Sequence, residues 1–127
     1  MSSTPSLQAT VEASCRRLEE TAASMGVTLT RSPESVSKLE EIIVALRDFG
    51  ADEDALRGAA FMVGTYLGEV LRGRLGGSWG NSRDNELVLR IGETAYFPVA
   101  KARKFAAAPD NGSDLSLFVE TALAGHA

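Results

Sequence analysis

Apolar residues recur at steps of three and four near the start of the chain: Leu7, Val11, Cys15, Leu18, Ala22 and Met25. That spacing puts one stripe on one face of a first helix, ended near Gly26. The segment GVTLT that follows reads as an extended connector. A second stripe, Val36, Leu39, Ile43 and Leu46, is broadened by Ile42 and Phe49 and stops at Gly50. Ser32 is placed to cap this helix, Pro33 suits its first position, and Glu34 favours the positive end of its dipole. Asp52 caps a third helix that runs to about Leu75, with Leu56, Ala60, Val63, Leu67, Val70 and Leu71 on one arc.

After Gly76 and Gly77 the period changes. SWG predicts a short strand, NSRDN a turn, ELVLRI a second strand bounded by Gly92, and ETAYF a third. The short links make these an antiparallel meander. Pro98 opens a fourth helix with Val99, Ala102 and Phe105 as its inner face. PDNG breaks the chain, and Ser113 is placed to cap a last helix whose apolar positions are Leu115, Phe118, Val119 and Leu123. The expected fold is α+β: three N-terminal helices, a three-stranded antiparallel meander and two C-terminal helices. Residues 1–127 are expected to form a single domain with 1–6 disordered.

The stretch GTYLGEVLRGRLGGSWG holds six glycines, five of them in or at the end of a predicted helix. Each interior glycine costs about 1 kcal/mol against alanine. Gly64 and Gly68 stand four apart at the margin of the apolar arc, so close approach of a neighbouring element is the expected compensation. Gly76 and Gly77 serve the helix stop, and Gly80 marks a bulge. No packing reason presents itself for Gly73. The opposite arc carries Met62, Thr65, Tyr66, Glu69 and Arg72. It reads either as a solvated face with a Glu69–Arg72 pair or, joined by Trp79, as the wall of a cleft. Trp79, directly after the Gly-Gly stop, reads as a core anchor between helix and sheet.

Composition narrows the function classes. With 127 residues and 44% hydrophobic content, the chain is long enough to build its own core. No apolar run approaches a membrane span, and the first residues lack the pattern of a secretory signal. One cysteine forms no internal disulfide, which suits a cytoplasmic location. The net charge of −4 argues against a dedicated nucleic-acid binder. Charge is nevertheless uneven: acids dominate before Arg57, bases dominate from Arg57 to Lys104, and the last residues are acidic again. Lys101, Arg103 and Lys104 are the tightest basic cluster. No aromatic interleaves with them as a stacking platform would, so they read as a solvated helix face.

Catalytic and metal chemistry find little support. Cys15 and His126 are the sole cysteine and histidine and show no ligand spacing, so no metal is expected. His126 is penultimate, where chains fray, and Cys15 sits on an apolar stripe as an inert core thiol. GRLGGS follows a helix instead of preceding one, the wrong order for a phosphate loop. No catalytic residue and no cofactor are assigned. Glu69 is the carboxylate best placed for acid–base work.

The motif GTYLGEV followed by LGGSW resembles an uncharacterised family of small bacterial domains of unknown function, whose helix reads G-x-Y-L-G-E-V before a link and G-G-x-W. The upstream LTRSPESVSKLE and the later FPVAK are similar to its helix start and strand-to-helix junction, so the resemblance covers Gly26 to Phe105. It implies a bacterial, cytoplasmic α+β domain and carries over no catalytic residue. Such domains sometimes occur near toxin and immunity genes, which makes an immunity role conceivable by analogy. The function expected is that of a non-enzymatic domain acting through a protein partner. The alternative is a small-molecule-binding or enzymatic domain whose candidate binding residues are Tyr66, Glu69, Arg72 and Trp79.

Overall fold

The computed structural model describes residues 6–109 and 114–126. Its elements run α1 (Leu7–Ser24), a 3₁₀ turn (Pro33–Ser35), α2 (Val36–Asp48), α3 (Glu53–Leu75), β1 (Ser78–Asn81), β2 (Leu87–Ile91), β3 (Thr94–Tyr96), α4 (Pro98–Ala107) and α5 (Asp114–Gly125). The expected order of three helices, three strands and two helices is the observed one. Ser6 is already structured, since its side chain accepts from the Ala9 amide at 3.1 Å and caps α1. Residues 1–5, the capping position Ser113 and most of the PDNG break lie outside the described residues.

Helix α3 is the spine. It packs against α1, α2, α4, α5 and β2, and every residue from Val63 to Leu71 is buried. Asp52 caps it as expected, accepting from the Ala55 amide at 2.8 Å. Gly76 ends it at φ +78°, a conformation that disfavours any side chain. Between those ends, Gly64 and Gly68 make room. A Cβ on Gly64 would overlap the backbone of Val99, and one on Gly68 would overlap the outer edge of the Trp79 ring. The missing side chains therefore let α4 and the indole sit directly on the helix backbone, as the spacing implied. Gly73 faces open space.

The sheet runs β1-β2-β3, antiparallel throughout, with Trp79 opposite Leu89 and Leu89 opposite Tyr96. Gly92 takes φ +61° in the two-residue turn from Ile91 to Thr94. Gly80 pairs with Val88 in unbroken register, so it lies inside β1 without a bulge.

Several local expectations are corrected. Met25 and Phe49 cap their helices beyond the buried stripes, and Phe49 is 87% exposed. Ser32 precedes a 3₁₀ turn and directs its hydroxyl to Thr30 at 2.7 Å, not to a helix amide. Apart from Ser113, which lies outside the described residues, the start of α5 is served by a distant carboxylate: Glu40 of α2 accepts from the Leu115 amide at 3.2 Å and from the Ser116 hydroxyl at 3.0 Å. His126 is tied down, with its Nε2 2.9 Å from the Tyr96 hydroxyl.

Candidate functional site

The polar arc of α3 is neither solvated nor the wall of an open cleft along its middle, because α1 lies across it. The two helices run antiparallel, as the pairs Gln8–Glu69 and Ser14–Thr65 show. Helix α1 presents polar side chains of its own, and two linked constellations result.

The first gathers Glu69, Arg72 and Trp79, three of the four predicted binding residues. Glu69 accepts from Arg72 Nε at 2.8 Å and Nη2 at 3.3 Å, from Trp79 Nε1 at 2.9 Å and from Gln8 Nε2 at 3.1 Å. Burial alone would raise the Glu69 carboxyl; the donors, Arg72 foremost, outweigh it and hold the group below the usual carboxylate range. A carboxylate so fully engaged works as an internal counter-charge joining α1, α3 and β1. Arg72 and Trp79 are partly exposed at its rim.

Tyr66, the fourth predicted residue, turns to a separate cluster. It is fully buried, and its hydroxyl donates to Glu19 at 2.9 Å while accepting from the Arg31 amide at 2.9 Å. Arg31 stands at φ +52°, unusual for a residue with a side chain. Its guanidinium pairs with Glu12 at 2.7 Å and Glu19 at 3.0 Å. The hydrogen bonds from Arg31 hold both carboxyls below their ordinary values. Burial pushes the Tyr66 hydroxyl and the neighbouring Cys15 thiol up, the thiol to about 12. Cys15 is therefore an inert core thiol.

Further along the same pair of helices the packing opens. Beyond the Ser14–Thr65 hydrogen bond, a groove of about 650 Å³ separates α1 from the first half of α3. Its α3 side carries Ala55, Gly58, Ala59 and Met62, at helical spacings of three and four, and Phe61 stands at the rim, 38% exposed. Its α1 side carries Ala13, Arg17 and Thr21, and Leu46 of α2 closes one end. Asp54 and Arg17 supply charge of both signs at the edges. A Cβ on Gly58 would meet nothing within 4 Å.

The chain matches the Family of unknown function (DUF6278) over residues 2–120. It belongs to that family. The match is wider than the Gly26–Phe105 span over which the motifs carried the resemblance. No curated protein and no solved structure matches the chain.

The family carries no activity to transfer, so function must be read from the site. Among the described residues no cluster of His, Cys, Asp or Glu is arranged to hold a metal, and no helix is long and apolar enough to cross a membrane. Sequence reading missed the groove. Its signal was present in Ala55, Gly58 and Ala59, small residues on consecutive turns of a helix face otherwise unassigned.

Proposed function

We propose that this member of the family is a protein-interaction domain that receives an amphipathic helix of a partner protein in the groove between α1 and α3. Gly58 carries the reading. It lies in the second turn of α3, where glycine costs about 1 kcal/mol against alanine, and nothing inside the chain lies against it; Gly73 is open as well, but only Gly58 lines the groove. Gly64 and Gly68, by contrast, are each covered by a neighbouring element. On the groove floor a bare backbone admits close approach from outside. The walls are two helices with small residues at helical spacing, so the complementary shape is a third helix lying between them. The mixed charges of Arg17 and Asp54 suit a partner helix that is apolar on one face and carries both signs at its margins.

The test places a photo-crosslinking amino acid at Phe61 in the source cell and compares the wild-type groove with Gly58→Leu. The substitution fills the groove floor and improves helix propensity, so the folded protein should be at least as stable as wild type. The expected result is a crosslinked partner that disappears in Gly58→Leu. The same crosslink in both proteins, or none at Phe61, overturns the reading. A toxin as the captured partner would make the domain an immunity protein. The alternative, a small-molecule site at Tyr66, Glu69, Arg72 and Trp79, draws its support from the partial exposure of Arg72 and Trp79 alone.

A further inference from the structure

We propose that the cavity between α2, α3 and α4 binds a small organic phosphate monoester. This site is separate from the α1–α3 groove. Three arginines from three helices line it: Arg47 in the last turn of α2, Arg57 near the start of α3 and Arg103 in α4. The cavity is about 370 Å³, within the range of small-ligand sites. Arg57 and Arg103 come from the basic middle third of the sequence, and Arg47 joins them from the acidic first part of the chain.

Among the described residues each guanidinium has one protein partner and keeps donors to spare. Each offers five N–H donors in a planar fork. Arg47 Nη1 donates to the Ala106 carbonyl at 2.6 Å, a neutral partner that orients the head without offsetting its charge. Arg57 donates to Asp54 at 3.2 Å, and Arg103 to Glu86 at 3.1 Å, through one nitrogen each. Both pairs are substantially exposed, where such pairing is weak and readily exchanged. Three cationic forks from separate helices can meet a tetrahedral dianion from several sides, and the second negative charge and third terminal oxygen of a phosphate monoester favour it over a monoanionic carboxylate. Leu56 and Ala60 give the organic group an apolar surface, and Glu53, on the same wall, accepts from a hydroxyl on it.

Backbone and arginine side-chain NMR shifts of the full chain, titrated with glycerol phosphate, test this. Inorganic phosphate, benzoate and glycerol serve as comparison probes. Glycerol phosphate is expected to shift Arg47, Arg57 and Arg103 saturably with a Kd below about 1 mM. Inorganic phosphate should bind more weakly, benzoate at least about tenfold more weakly, and glycerol not at all. Arg47→Gln should weaken binding by about tenfold or more, while Arg83→Gln, in the β1–β2 turn, should leave it unchanged. Thermal melts check that both variants are folded; if Arg47→Gln unfolds, Arg57→Gln, on an exposed side chain, takes its place with the same expectation. No saturable shift, equal response to benzoate, or equal loss in Arg83→Gln overturns the proposal.

Discussion

The Trp79 ring occupies the space that a side chain at Gly68 would take. Its six-membered edge lies where the Cβ would stand, Pro98 Cγ closes the same spot at 3.2 Å, and the indole nitrogen reaches Glu69 at 2.9 Å. Helix, strand and the start of α4 therefore meet at one backbone position that must stay bare. Gly68→Leu should destabilise the fold by more than about 1 kcal/mol through overpacking. Gly73→Leu, with open space around it, should be neutral or slightly stabilising, because only helix propensity changes. Denaturant midpoints of the two variants decide it; equal midpoints would refute the close-approach argument.

The same contact predicts a coupling. Trp79→Ala should cost about 3 kcal/mol, since it removes a large ring packed on the core and one donor from Glu69. In that background the main obstacle to a side chain at position 68 is gone. Gly68→Ala should thus be destabilising in the wild type and near neutral alongside Trp79→Ala. A double-mutant cycle measures the difference, and additive effects would show that the indole does not set the spacing.

How far the sequence discloses this architecture depends on whether a residue's partners are local. Asp52, Gly76 and the apolar stripes act within a turn or two of themselves, and apart from the stripe ends Met25 and Phe49 each is where its spacing put it. Gly64 and Gly68 announced close approach but not by what. The polar arc of α3 was legible as polar and misleading as to place. Thr65, Tyr66 and Glu69 are buried because Gln8, Ser14 and Glu19 of α1 meet them with matching groups. A polar face that meets a polar face has the same helical period as one that meets water. Glu40 is the same case at longer range, a carboxylate in an acidic helix whose task is to cap α5. Arg47, Arg57 and Arg103 are brought together only by the crossing of three helices, which no local pattern encodes.

Cys15 reports on the docking of α1. It is fully buried, and its thiol is pushed up to about 12 by burial, so both access and thiolate are lacking at neutral pH. A thiol reagent should label it slowly in the native protein and rapidly in denaturant. Gln8→Ala and Ser14→Ala, which remove hydrogen bonds between α1 and α3, should each speed native labelling. Fast labelling of the wild type would mean that α1 undocks without global unfolding.

The carboxylates beneath α1 make stability depend on acid in a direction that can be worked out. Glu12 and Glu19 are held below their ordinary values chiefly by Arg31, and Glu69 by Arg72 and Trp79 against the opposing effect of burial. In the unfolded chain these groups return to about 4.3. Between that value and the lower folded ones, the unfolded state binds more protons, so stability rises with pH. Their contribution is complete above the unfolded value and is lost as pH falls through the folded ones. Denaturant midpoints should therefore be flat from pH 7 to about 5 as far as these groups are concerned and fall below about 4.3. Arg31→Met removes the cation that two of the three depend on, and with it the pairing that fixes the connector to α1. The variant should be less stable than wild type at pH 7, with a shallower decline in acid, so that the two curves converge as pH drops. Parallel curves would show that Arg31 does not govern the titration of Glu12 and Glu19, and would leave Glu69 as the source of the acid sensitivity.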